Sequence, residues 1–265
     1  MIVPPKFLTK WRERSAAVSA GPLESQVPLT DDERRAAWLC ASWLIGYPGE
    51  DLRSRLDAVR ALAAPLPAGV GDELVGVVDR LSAGDPVDLC AQYVETFDTR
   101  RRGCLYLTYF SNGDTRRRGI ALLEIKDAYR EAGLDVADDE LPDHLTYVLE
   151  FGAAHDVRAA TRILLANRAG VELLRLHLNE IDSPWAGVLR AVCTTLPPLD
   201  GDDVEAVRRL AAEGPEEELV GLAGYGDDGS ADMPPADMSP YAVPGSQAAA
   251  GPVFVPLSTV KGLTS

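Results

Sequence analysis

Histidine is nearly absent from this chain. His144, His155 and His177 are all there is among 265 residues, and no two stand four apart, so a helical metal site would need ligands from distant segments. Cysteine is also scarce. Cys40, Cys90, Cys104 and Cys193 form no C-x-x-C pair, which argues against both a disulfide framework and a zinc knuckle; each lies in an apolar run and reads as a small buried hydrophobe. No G-x-x-x-x-G-K-[ST], G-x-G-x-x-G after a strand, G-x-S-x-G or H-E-x-x-H occurs, which weakens the common enzyme classes. Basic residues are in deficit, 26 against 41 acidic, and a net charge of −15 argues against nucleic acid as a partner. No run approaches ~18 apolar residues, so no membrane insertion is expected. Lys6, Lys10, Arg12 and Arg14 are followed by no apolar stretch, and Arg34-Arg35 sits inside a helical pattern rather than ahead of an export signal's apolar core. The expected location is the cytoplasm.

What is present is helical periodicity. Residues 1–29, with four prolines and no sustained period, read as a flexible leader, and order is expected from Thr30, where Thr30 and Glu33 form a capping-box pattern. Ala36, Leu39, Cys40, Trp43 and Leu44 follow at helical spacing, and Gly46-Tyr47-Pro48-Gly49 ends the helix. A helix near 51–63 carries Leu52, Leu56, Val59 and Leu62, and one near 71–82 carries Leu74, Val77, Val78 and Leu81. Asp85-Pro86 is an N-cap with proline at the first helical position, and Val87, Cys90, Val94 and Phe97 are expected to face inward. The run 104–110 fits either a buried strand or a helix. With no partner strand elsewhere, helix is the expectation. A helix over about 115–132 carries Ile120, Leu123, Ala128 and Tyr129 and stops at Gly133. Further helices are expected over 143–154, 157–180, from Ser183-Pro184 to about 195, and over 202–213. The segment 214–265, rich in Gly, Pro and acid, reads as a disordered tail. The expected fold is an all-α, single-domain helical bundle over 30–213.

Charge and aromatics are unevenly placed. Residues 200–265 carry a net of −9, whereas residues 100–118 hold six arginines against Asp114 alone. Those arginines suit a solvated face paired with Glu95, Asp98 and Glu124, or a patch for docking a partner. Aromatics make up 6% of the chain, yet Tyr93, Phe97, Tyr106, Tyr109 and Phe110 cluster. Such a cluster supplies core, and part of it would suit the wall of a groove for an amphipathic peptide. The stretch Asp135, Asp138, Asp139, Glu140, Asp143 would favour a basic peptide or complement a helix dipole. Asp143-His144 is the one pair with chemical character: a carboxylate able to cap the following helix, and an imidazole able to titrate near neutrality.

The segments Tyr93-Val94-Glu95-Thr96-Phe97-Asp98, Arg100 to Arg102, Cys104-Leu105-Tyr106-Leu107-Thr108-Tyr109 and Gly113 to Gly119 resemble the NarJ family. Leu141-Pro142-Asp143-His144-Leu145 with Leu149-Glu150-Phe151 resembles the Asp-His signature of the wider group that includes the TorD and DmsD chaperones. The likeness runs from about residue 35 to about 197. It implies a non-catalytic, all-helical chaperone that binds no cofactor itself. Its partner would be the apo catalytic subunit of respiratory nitrate reductase, gripped chiefly by that subunit's N-terminal segment while the molybdenum cofactor is inserted. Tyr93, Phe97, Arg101, Arg102, Tyr106, Tyr109, Asp143 and His144 are the residues expected to bind the client peptide. Two alternatives are a chaperone for another molybdoenzyme that reads a twin-arginine signal peptide, and a small hydrolase built on Asp143-His144. The chain has Leu-Pro before Asp143 where many of the wider group have Glu-Pro.

Overall fold

Thr30 opens the first helix as its sequence implies. Its hydroxyl accepts from Glu33 N at 3.2 Å while Glu33 Oε2 accepts from Thr30 N at 2.8 Å, so two of the orphan donors at the helix start are satisfied. This helix, α1 (Asp31–Ile45), begins an all-α structure. The computed structural model describes residues 23–113, 116–136 and 140–213. Among them α1 is followed by α2 (Leu52–Ala63), α3 (Ala68–Ala83), α4 (Pro86–Tyr93), α5 (Leu107–Asn112), α6 (Arg116–Glu131), α7 (Leu145–Ala154), α8 (Val157–Ala166), α9 (Arg168–Glu180), α10 (Ala186–Thr194) and α11 (Gly201–Glu213). The leader before residue 23 and the acidic tail after 213 lie outside the described residues, as do Asp138 and Asp139 of the acidic stretch.

The centre of the bundle is the α1–α7 contact. Trp38, fully buried, lies on Gly152 of α7 so closely that a Cβ there would collide with its ring, and its Nε1 donates to Thr195 Oγ1 at 2.8 Å. The Arg34-Arg35 pair has structural work on either side of this contact. Buried Arg34 donates through Nη2 to the carbonyls of Leu23 and Glu24 at 3.1 and 3.4 Å, and Arg35 Nη1 donates to those of Gly152 and Ala153 at 3.0 and 2.9 Å, closing the C-terminus of α7. Residues 23–29, expected as part of an unpacked leader, pack on the body instead, with a bend at Gln26 and Val27. Leu23, Val27 and Leu29 pack against the core, and Gln26 N donates to Thr194 O at 3.0 Å.

Two expected faces are rotated. The inward residues after Asp85 are Leu89, Tyr93, Thr96 and Phe97, whereas Val87 and Val94 are 76% and 40% exposed. Residues Val94–Asp98 form a π-helical turn, which shifts the phase of everything beyond it. Gly103 locks that turn: a Cβ at this position would fall on the Thr96 carbonyl oxygen. In α6 the buried side chains are Ile125 and Tyr129, while Ile120 and Leu123, expected inward, are each 57% exposed. Leu62 in α2 is likewise exposed. The remaining expected core residues of α2 and all four of α3 are buried.

Candidate functional site

The ambiguous run 104–110 resolves into both of its alternatives. Tyr106 pairs with His144 in an isolated antiparallel bridge, in which Leu107 N donates to Asp143 O at 3.0 Å and Leu145 N donates to Leu105 O at 2.9 Å; the helix α5 begins directly after it. A partner for the short extended piece therefore exists. It is the Asp-His segment itself.

This bridge decides what Asp143 does. The carboxylate, fully buried, was expected to cap its own helix, but α7 starts at Leu145 behind His144 with no side-chain cap. Asp143 Oδ2 accepts instead from Thr108 N at 3.1 Å and Thr108 Oγ1 at 2.5 Å, capping α5 from across the bridge. Arg118, reaching in from α6, places Nη2 3.9 Å from the same oxygen and Nε 3.4 Å from Thr108 Oγ1. Asp143 Oδ1 has no hydrogen-bond partner among the described residues. Neighbouring residues of an extended segment face opposite ways, so His144 turns from Asp143. Its Nδ1 shares a hydrogen bond of 2.5 Å with Thr146 Oγ1, and its ring meets Tyr106 edge-on at 5.1 Å and Tyr147 at 5.3 Å. Burial depresses its pKa to about 4, so the imidazole is neutral at physiological pH. An Asp-His catalytic pair is not assembled here.

Above the bridge the Arg118 guanidinium lies over two rings, 5.7 Å from the centroid of Tyr106 and 5.9 Å from that of Tyr109. Tyr106 is 36% exposed and Leu141, just ahead of the bridge, 40%. Burial and the nearby Asp143 raise the Tyr106 pKa. Behind it, burial and Glu140 push Tyr147 up to about 12, and burial pushes Glu150, 5% exposed on α7, up to about 7.

Of the eight expected client-binding residues, the fold gathers Tyr106, Tyr109, Asp143 and His144. Tyr93 and Phe97 do not join them. They are 3% and 5% exposed and stack around Trp185 in the core, with Tyr93 Oη donating to Ile45 O at 3.0 Å, which removes them from any surface groove. Arg101 and Arg102 are exposed on a 3-10 turn, Arg101–Gly103, where Arg102 faces Glu180 of α9 at 3.9 Å and Ala211 O of α11 at 3.5 Å. Thr108, Arg118 and Tyr147 complete the site without having been singled out. Arg118 had a signal, as the last member of the arginine block, and Thr108 one in the Cys104–Tyr109 segment that carries the resemblance; Tyr147 had none. A cleft of about 420 Å³ lies elsewhere, between α3, α9 and α10, lined by Glu73, Glu172, Arg175 and Arg190 among others, and none of the eight residues borders it. Among the described residues no group of three or more His, Cys, Asp or Glu could hold a metal ion, and no helix is long and apolar enough to cross a membrane.

A family described as "Nitrate reductase delta subunit" matches residues 63–191. The nitrate reductase-like protein NarX of Mycobacterium tuberculosis (strain H37Rv) is 37% identical over 172 residues, which are 65% of this chain but only 26% of NarX. The chain thus spans about a quarter of that relative's length. The probable nitrate reductase molybdenum cofactor assembly chaperone NarJ of Bacillus subtilis (strain 168) is 32% identical over 165 residues, 62% of this chain and 90% of that protein. The nitrate reductase molybdenum cofactor assembly chaperone NarJ of Escherichia coli (strain K12) is 32% identical over 148 residues, covering 55% of this chain and 63% of that one. With nine-tenths of the Bacillus protein matched at 32% identity by an all-α chain, this protein belongs to the NarJ family.

Proposed function

We propose that this chain is an assembly chaperone for a respiratory nitrate reductase. It binds the apo catalytic subunit in the cytoplasm, chiefly through that subunit's N-terminal segment, and keeps it open for insertion of the molybdenum cofactor before membrane attachment. The cofactor goes to the client, and the chaperone performs no chemistry. The observation that carries the reading is the half-exposed face of Tyr106 and Tyr109 over Arg118, beside Leu141. Aromatic walls offer contact area at low entropic cost, as peptide recognition in a helical groove requires.

The work done is a shift of population. A chaperone with higher affinity for the open, cofactor-free client stabilises that state and loses its grip as the client closes. Glu140, beside Tyr147 at the edge of the face, supplies negative charge, which orients a basic peptide and speeds its arrival. Calorimetry with the client's N-terminal peptide tests this. Binding should weaken with salt, and Tyr106→Ala with Tyr109→Ala should lower affinity by about tenfold or more. No binding, or binding indifferent to both changes, overturns the assignment of the face. Co-purification with the reductase subunit, with molybdenum measured in the client in the presence and absence of this chain, tests the client.

A further inference from the structure

Helix α6 buries only Ile125 and Tyr129 among its sixteen residues. Both face the body, where Tyr129 lies on Phe151 at 4.5 Å, and Arg118 reaches Asp143 from the same side. The opposite side carries a second stripe. Arg116, Ile120, Leu123 and Asp127 follow one another at steps of four, three and four residues, which sets them in one line along the helix. All four are exposed, Ile120 and Leu123 by 57% each. Beside them a Cβ on Gly119 would meet open space, so among the described residues nothing lies over the helix there.

The spacing of this stripe is the same read from either end, and its charges are opposite at the two ends. Turned end for end about a two-fold axis between Ala121 and Leu122, the helix complements itself. Ile120 falls opposite the second copy's Leu123, and Arg116 opposite the second copy's Asp127. Steps of four and three are also the seam of a coiled coil, in which Arg117 on the flank falls beside the second copy's Glu124. Because the axis repeats every contact, four aliphatic side chains meet at the centre with opposite charges paired on both sides of them.

We infer that this stripe is a self-association surface, through which two copies of the chain pair by antiparallel contact of their α6 helices. The order of charge selects a second copy as the occupant. An anionic surface would attract Arg116 but repel Asp127, and a cationic one the reverse, whereas an inverted copy satisfies both. The pairing does not need these side chains to be idle. Asp127 already meets Arg130 at 2.9 Å, and Arg116, Arg117 and Glu124 are engaged within the chain, but a guanidinium has five donors and a carboxylate about four acceptor sites. The stripe runs ~17 Å along the helix, which puts the contact at the small end of protein interfaces, so the dimer is transient and half formed on the order of 0.1 mM. It draws on none of the residues assigned to the client, since Arg118 lies on the other side of α6.

The test is sedimentation equilibrium on the full chain without client, so its outcome is independent of the function proposed above. From about 10 µM to about 1 mM, a decade either side of the expected midpoint, the average mass should rise from one chain toward two. Leu123→Lys, at an exposed position, should weaken association by at least about tenfold. Arg116→Asp and Asp127→Arg should each weaken it too, because each sets like charges opposite one another at both ends. Mixed in equal amounts, these two variants should associate about tenfold more tightly than either does alone, since every charge in the mixed pair again meets its opposite, a rescue that damage to the fold would not give. A native chain that stays monomeric throughout overturns the inference. So does a Leu123→Lys chain that associates like the native one, or a mixture no tighter than its components.

Discussion

Glu150 and His144 sit on or beside α7, and burial moves them in opposite directions across one pH window. Glu150 rises from 4.5 to about 7, and His144 falls from 6.5 to about 4. The folded state therefore binds a proton at Glu150 that the unfolded state lacks between about pH 4.5 and 7, so this group's contribution to stability grows as pH falls through 7. The unfolded state binds a proton at His144 that the folded state refuses between about pH 4 and 6.5, so that contribution shrinks as pH falls through the same range. Each slope approaches about 1.4 kcal/mol per pH unit, and in the intact chain the two oppose. The groups facing them, Tyr129 and Tyr147 at Glu150, Tyr106 and Tyr147 at His144, are all raised above the ordinary tyrosine value and stay neutral here. Replacing Glu150 by glutamine should thus stabilise the protein at pH 8 by about 2 kcal/mol, because a buried charge is removed, and the gain should vanish near pH 5. His144→Gln should show the reverse: its difference from the parent stays constant above pH 7 and turns in the variant's favour as pH falls to 5. Urea unfolding at half-unit steps gives both difference curves, in which the slopes of His155, His177 and Asp98 cancel. A Glu150→Gln difference that is flat from pH 5 to 8 would refute the reasoning.

Asp143→Ala leaves Thr108 N–H without its acceptor and should cost about 3 kcal/mol in urea unfolding, whereas Asp143→Asn, which retains an acceptor oxygen, should cost about 1. Equal losses would mean that the cap on α5 contributes little. Gly103→Ala forces a methyl into the Thr96 carbonyl and should destabilise by more than about 3 kcal/mol, with a fall in melting temperature as the readout. Arg35→Ala removes two donors from the end of α7 and should cost about 1 to 2 kcal/mol while leaving peptide affinity, measured by calorimetry on folded protein, unchanged.

Where local chemistry decides, the sequence was sufficient. Thr30 with Glu33, Asp85 with Pro86 and Gly133 at φ 80° sit where their caps and turns require, because each needs only near neighbours in the chain. Where two stripes of one helix were both apolar, packing decided. In α6, Ile120 and Leu123 make as regular a pattern as Ile125 and Tyr129, and the latter pair is buried because Phe151 and the Pro142 carbonyl await Tyr129. After Asp85, Leu89 and Tyr93 displaced Val87 and Cys90 because Tyr47 and Trp185 complete a ring cluster around Tyr93. The π-helical turn left no mark in composition. The aromatic cluster near residue 100 was legible as a cluster, but not its division into Tyr93 and Phe97 inside and Tyr106 and Tyr109 at the surface, since that depends on Trp185, some ninety residues away in the chain.

The Asp-His pair was legible as a feature and its mechanical role was not. An aspartate and histidine side by side suggest proton transfer, yet in an extended bridge they face opposite ways, one into the α5 N-terminus and the other among tyrosine rings. Two backbone hydrogen bonds and the Asp143–Thr108 contact tie α5 to the start of α7, and Arg118 fastens the near end of α6 to the same point. That junction is incompletely satisfied. Asp143 Oδ1 is buried without a hydrogen-bond partner among the described residues, and Arg118 meets the carboxylate as an ion pair at 3.9 Å while its Nε donates to Thr108 Oγ1 at 3.4 Å. The junction fixes where Tyr106 and Tyr109 stand relative to α7, because the bridge, the cap on α5 and the Arg118 ion pair all meet at Asp143.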